Sequence, residues 1–148
     1  MTRDRTMTIK RVIAAPLATV WGAWVNPVSL PKWWGPDGYS CRTARIDLRT
    51  GGEWVFDMIG PDGTVFPNHH VYTLIQPQTR IDYLLLKGEN GPRHAEARID
   101  FEDLGGQTKI TLCMTLATVE EYTQAMSFGA QTLGLQTLGK LARIVGAD

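Results

Sequence analysis

Two stretches decide the fold: His94-Ala95-Glu96-Ala97-Arg98-Ile99-Asp100-Phe101 and, past Gly105-Gly106, Ile110-Thr111-Leu112-Cys113-Met114-Thr115-Leu116. Successive side chains of a strand point to opposite faces of its sheet. Ala95, Ala97, Ile99 and Phe101 therefore share a face opposed by His94, Glu96, Arg98 and Asp100. Ile110, Leu112, Met114 and Leu116 likewise oppose Thr111, Cys113 and Thr115. Two alternating segments joined by a glycine turn predict antiparallel neighbours in a sheet with one dry and one wet face. The charges Glu96, Arg98 and Asp100 then read as an ordinary solvated face.

The dry face needs a cover, and the chain supplies one immediately downstream. Thr118 with Glu121 three residues on fits a capping box, in which each side chain satisfies a backbone donor at the start of a helix. Tyr122, Met126, Leu133, Leu138, Leu141, Ile144 and Val145 give the long helix expected there a broad apolar side. Gly129, Gly134 and Gly139 are anomalous, since each costs about 1 kcal/mol against alanine in a helix interior. Either the helix backbone approaches the sheet closely or space is left for a ligand.

Upstream, Trp54, Phe56 and Met58 alternate with Glu53, Val55 and Asp57, and Pro61-Asp62-Gly63 supplies a tight turn. Val71 to Gln76 and Ile81 to Lys87 read as two further strands, bounded by Pro77 and by Gly88 to Pro92. At the N-terminus, Thr6 to Ile13 predicts a strand, and Ala15-Pro16 opens a short helix carrying Val20, Trp21 and Trp24. Asn26-Pro27 stops it. A second short helix or turn carries Leu30, Trp33 and Trp34 before Gly35-Pro36. The expectation is one α+β domain over residues 1–148, a curved antiparallel sheet wrapped around a long C-terminal helix, with two short helices after the first strand.

Composition excludes several classes. The 148 residues carry 15 Lys+Arg and 15 Asp+Glu, which leaves none of the positive excess that phosphate-backbone binding needs, so no nucleic-acid partner is expected. Cys41 and Cys113 stand alone, with no CxxC or CxxH spacing, and read as small hydrophobes of a reducing compartment. Arg3, Arg5, Lys10 and Arg11 before the apolar run from Val12 to Val25 imitate a signal peptide. Pro16, Thr19 and two tryptophans interrupt that run, however, and no small-x-small cleavage site follows it. It is also shorter than the roughly 20 apolar residues a membrane span requires, so a cytoplasmic location without a span is expected.

The same residues resemble a known family, the activator of heat-shock-protein-90 ATPase homologues, within the START-like or SRPBCC superfamily (polyketide cyclase/lipid transport) of helix-grip domains. The resemblance runs nearly end to end. It rests first on Arg11, Ala15-Pro16, Val20-Trp21, Ala23-Trp24, Asn26-Pro27, Leu30 and Trp33-Trp34-Gly35-Pro36. A second group is Asp47, Arg49, Gly51-Gly52, Trp54, Phe56, Met58 and the Pro61-Asp62-Gly63 turn. Pro77 with Arg80-Ile81, and Phe101-Glu102-Asp103 with Gly105-Gly106 and Thr108, complete it. The resemblance implies the helix-grip order of elements read above. It implies function only loosely, because the superfamily spans lipid carriers, hormone receptors, polyketide cyclases and chaperone co-factors. Where many relatives carry a glycine before the fourth-strand tyrosine and an acidic residue two places after it, this chain has His70 and Leu74 flanking Tyr72. Ala130 replaces a tryptophan often found after Gly129.

His69-His70 is the most tempting chemical feature, since histidine serves as metal ligand and proton shuttle. Neighbours on a strand face opposite ways, so one of the pair enters the interior, and no further Cys or His stands at a ligand spacing; no metal site is expected. Tyr72 and Tyr83 each offer an apolar body with one hydrogen-bonding tip. The pocket expected between sheet and C-terminal helix comprises Trp33, Trp54, Phe56, Met58, His70, Tyr72, Tyr83, Met114, Met126, Phe128, Gly129 and Leu133. Asp47 with Arg49 reads as a device fixing the Gly51-Gly52 bend. No Ser-His-Asp order, phosphate loop or HExxH is present, so no catalytic residue and no cofactor are assigned.

The expected function is binding of a small hydrophobic or aromatic molecule, as carrier or sensor, without catalysis. A polyketide cyclase- or hydrolase-like enzyme using His70, Tyr72 and Tyr83 is the alternative, followed by a chaperone-interaction module. A chaperone partner is disfavoured because this chain reads as a bare domain, and a homodimer remains open.

Overall fold

The computed structural model describes residues 2–146. A 3-10 turn, Thr2–Arg5, leads into β1 (Thr6–Ile13), α1 (Leu17–Val25) and α2 (Leu30–Trp33). Six strands follow: β2 (Ser40–Ile46), β3 (Glu53–Ile59), β4 (Val65–Gln76), β5 (Arg80–Leu86), β6 (Arg93–Asp103) and β7 (Thr108–Leu116). The described chain closes with α3 (Val119–Ser127) and α4 (Ala130–Ile144). All seven strands form one antiparallel sheet in the order β1-β7-β6-β5-β4-β3-β2, so the first strand pairs with the last. The α+β helix-grip architecture expected from the sequence is present.

Register explains the dry face. Ile99 lies opposite Leu112 and Ile81, Ala97 opposite Met114 and Tyr83, and Tyr72 opposite Tyr83. Phe101, Ile110, Ile9 and Ile13 continue the same buried surface. Irregularities at Tyr72/Leu74, Leu85/Leu86 and Thr43/Arg45 break the ladders, and such bulges add twist that bends a sheet around its cover. Edge strand β2 carries no amphipathic alternation and is mostly exposed, which is why sequence pattern alone does not reveal it.

Two helical layers cover this sheet unequally. Trp21 and Trp24 of α1 press edge-on against Phe101, with ring centroids 5.0 and 5.7 Å away. Trp24 meets Trp33 and Trp34 at 4.8 and 5.7 Å, and Trp33 Nε1 donates to the Ala23 carbonyl at 3.1 Å, tying α2 to α1. Thr108 Oγ1 donates to the buried Ala15 carbonyl at 2.9 Å, fixing where β1 turns into α1.

At the other end the expected single helix is two. The Thr118 cap forms as predicted, its hydroxyl accepting from the Glu121 backbone N–H at 3.0 Å. The helix then stops at Ser127, and Gly129 takes a left-handed conformation with φ of 80° before α4 begins. Gly129 is thus a hinge residue of the kind only glycine occupies cheaply, rather than a helix-interior anomaly. The remaining two glycines show close packing: a Cβ on Gly134 would sit 2.8 Å from Ile9 Cδ1, and one on Gly139 would sit 3.3 Å from Arg11 Nη1. They let α4 settle onto β1, with Leu138 and Leu141 fully buried. α3 buries no residue completely.

Candidate functional site

A narrow void of about 10 Å³ in the interior is lined by Trp24, Leu30, Trp34, Trp54, His70, Tyr72, Ile81, Tyr83 and Ile99. That is space for about one water molecule. It lies between the sheet and the α1–α2 layer, and no residue of α3 or α4 lines it. The hole expected between the sheet and the C-terminal helix is therefore not where the sequence reading puts it, because the glycine face of α4 closes down on β1.

His70 sits at the centre. The β4 register points it inward, opposite Trp54 of β3 and Leu85 of β5. Its ring stacks on Tyr83, with centroids 4.2 Å apart and planes 19° apart. It also meets Trp34, Trp54 and Phe56 edge-on at 5.5, 5.4 and 5.1 Å, while Trp54 stacks on Phe56 at 3.7 Å. Burial in this apolar cage pushes the His70 pKa down to about 3, with the neighbouring His69 adding to the shift, so His70 is neutral at physiological pH. Burial raises the phenols of Tyr72 and Tyr83 well above their ordinary value, and their mutual repulsion adds to the shift at Tyr72. All three groups are held in uncharged form.

Polar satisfaction in the cage is uneven. Trp54 Nε1 donates to Thr43 Oγ1 at 3.0 Å. Trp24 Nε1 and the Tyr83 hydroxyl, both buried, have no hydrogen-bond partner among the described residues. An unmade bond of this kind costs about 1–3 kcal/mol, so two of them on one void are a costly arrangement.

His69 faces the opposite way. Its Nδ1 accepts from the Asn90 backbone N–H at 3.1 Å, which leaves Nε2 to carry the proton and donate to Glu53 Oε1 at 2.8 Å. It is a structural histidine pinning the 88–90 loop to β3. Among the described residues no group of three His, Cys, Asp or Glu is placed to hold a metal ion, and no helix is long and apolar enough to cross a membrane.

Of the residues singled out from sequence, Trp54, His70, Tyr72 and Tyr83 come together at the void. Phe56 backs Trp54 and His70, and Trp33 packs behind Trp24 and Trp34. Met58 and Met114 are partly buried against the same core. Met126 of α3, Gly129 between the two C-terminal helices and Leu133 of α4 do not line the void, and Phe128 is 82% exposed. Leu74 falls beyond the β4 irregularity, opposite Asp82, and also does not line it. Trp24, Leu30, Trp34, Ile81 and Ile99 are the lining residues that site reasoning missed. The available signal was the clustering of four of the five tryptophans within residues 21–34. Asp47 and Arg49 do pair, at 2.8 Å. The bend beside them depends on Gly52, where a Cβ would meet the Asp47 carbonyl oxygen at 2.1 Å.

A sheet that wraps helices around an aromatic interior defines a START-like helix-grip domain, a scaffold of ligand-binding type. Within that class the chain belongs to the family described as activator of Hsp90 ATPase homolog 1-like protein, whose family model matches residues 14–146. Among solved structures, one protein of Nitrosomonas europaea superposes with a TM-score of 0.87 at 25% identity, over 99% of this chain and 97% of that one. A Mycobacterium smegmatis protein gives 0.87 at 24% identity, covering 99% and 94%. The AHSA1-like protein of Aeromonas hydrophila gives 0.69 at 23%, covering 95% and 93%. No curated protein matches the chain.

Proposed function

We propose that this protein is a carrier or sensor that binds a small, flat, apolar or aromatic molecule with one hydrogen-bonding group in the cage around His70. The observation that carries the reading is that two residues lining a void walled by aromatic rings, Trp24 and Tyr83, each hold a buried donor without a partner, Nε1 and the hydroxyl. A ligand acceptor would recover the bonds these donors lack, and its rings would replace edge-to-face contacts the cage residues now make with one another. Because the void holds about 10 Å³, binding requires the α1–α2 layer to move outward. The ligand is therefore selected by an opened minor state.

The buried, uncharged state of His70, Tyr72 and Tyr83 favours binding over acid–base catalysis, which works best with groups poised near the working pH. The test uses the indole N–H signals of the tryptophans in a two-dimensional NMR spectrum, titrated with 1-naphthol and with naphthalene. The expected result is that 1-naphthol shifts the Trp24, Trp34 and Trp54 signals, and that Tyr83→Phe weakens 1-naphthol by about tenfold while leaving naphthalene unaffected. Unmoved indole signals across a panel of aromatic and apolar probes would remove the proposal, leaving a cage that at most holds one water.

A further inference from the structure

Another concave surface lies at the far end of β4 and β5, where Val65, Phe66, Pro67, Asn68, Leu85, Leu86, Lys87 and His94 line an open groove of about 340 Å³. Most of its wall is apolar, and Val65 and Phe66 are roughly half exposed. Phe66 and Leu85 belong to the inward-facing side of the sheet, since Phe66 pairs with Met58, and Leu85 with His70. One end of the groove is cationic or hydrogen-bond donating, through Lys87 and His94. That end is already met by a carboxylate of the chain itself. Glu121, in the first turn of α3, forms an ion pair with Lys87, and its Oε1 lies 3.7 Å from His94 Nδ1.

This internal pairing is incomplete. Glu121 Oε2 and His94 Nδ1 are both buried and have no hydrogen-bond partner among the described residues. The helix that carries Glu121 is lightly held: α3 buries no residue fully and ends at the left-handed Gly129, around which there is open space. A carboxylate at the cationic end of an apolar groove, attached to an element able to swing away, stands where a ligand head group would sit.

We infer that this groove binds a small carboxylate amphiphile, its hydrocarbon part on Phe66 and Leu85 and its carboxylate on Lys87 and His94 in place of Glu121, and that this exchange releases α3. The groove lies within the size range of ligand pockets, at its lower end. The charge pattern selects an anionic head over a neutral one, and a lysine ammonium recognises a carboxylate as a point charge. The site does not need the aromatic cage to open, so it stands or falls independently of the cage reading.

Sodium decanoate and decan-1-ol, titrated into the full chain by calorimetry, provide the test. Decanoate is expected to bind and decan-1-ol to bind markedly more weakly. Lys87→Met should weaken decanoate by about tenfold, as loss of a charged hydrogen-bond partner does. Lys87→Gln, which keeps most of the stem, should do the same if the methionine variant folds poorly. Glu121→Gln should act in the opposite direction and tighten decanoate about threefold, because the competing internal charge is gone. Hydrogen exchange over residues 119–127 should quicken when decanoate is bound. Equal affinity for acid and alcohol, indifference to Lys87, no tightening in Glu121→Gln, or α3 exchange unchanged by saturating decanoate would each overturn the inference. Tyr83→Phe should leave decanoate binding unaltered, which separates this site from the cage.

Discussion

The α1–α2 layer and the α3–α4 layer rest on the same sheet by different physics. Four tryptophans interlock with one another and with Phe101, Trp54 and Tyr83 in the first, and each such aromatic pair adds about 0.5–1.5 kcal/mol beyond the area it buries. The second is split. α4 is anchored through Leu138 and Leu141 and through Gly134, which admits Ile9, whereas α3 is attached by a cap, a hinge, the ion pairs of Glu121 and the half-buried Tyr122, Ala125 and Met126. The difference teaches where each kind of change can occur. The aromatic layer can open only against a large packing term, while α3 can detach at the smaller cost of a few polar contacts and a partly buried apolar side.

The sharpest way to break the comparison is Trp54→Ala. Trp54 is fully buried between Phe56, Trp34 and His70, and truncating such a residue costs about 3–5 kcal/mol. Urea unfolding should show that loss, and a loss below about 1 kcal/mol would mean the cage packs loosely.

Acid comes next. His70 binds its proton with a pKa of about 3 in the folded protein and near 6.5 once unfolded. The unfolded chain therefore holds more protons between these values, and His70 contributes stability that is present above pH 6.5 and lost as pH falls toward 3. At pH 4.5 the loss from this one group should be of the order of 2 kcal/mol. Urea midpoints at pH 7.5 and 4.5 should converge in His70→Phe relative to the unsubstituted protein. The lowered pKa values of Glu53 and Glu121, which arise chiefly from hydrogen bonds to Arg45 and Lys87 respectively, also favour the folded state more as pH rises. The variant comparison isolates the histidine from them.

Much of this architecture is legible in the chain, and the exceptions have physical causes. Alternation over residues 94–101 and 110–116 gives β6 and β7 because one face is wet and the other dry. Thr118 and Glu121 announce α3 because a cap is a local interaction. The break at Gly129 escapes periodicity, since a glycine inside a helix and one turning left-handed between two helices look alike in sequence. The cage is half legible for a similar reason. His70, Tyr72, Tyr83 and Trp54 lie on strands, where parity decides the face, while the inward turn of Trp24 and Trp34 depends on how two short helices dock. The size of the void depends on close packing, to which no sequence pattern is sensitive.

Smaller substitutions sharpen the contrast. Gly129→Ala places a Cβ at a φ of 80° with no steric neighbour, so its cost is conformational alone, about 1–2 kcal/mol. Gly134→Ala should be nearly neutral, the gain in helix propensity offsetting the displacement of the flexible end of Ile9. A thermal melt of both variants tests the hinge against the contact. Thr118→Ala should act locally, removing a cap worth about 1 kcal/mol, and exchange rates of α3 amides should report it better than the melting temperature.

Native-state hydrogen exchange across the whole chain tests the central claim most directly. Amides of β4 to β6 should exchange only through global unfolding, and those of α1 close to that limit because the opened state moves the helix as a unit with its own hydrogen bonds kept, while those of α3 should open several kcal/mol below it. Protection of α3 equal to that of α1 would contradict the account of one locked layer and one latched layer.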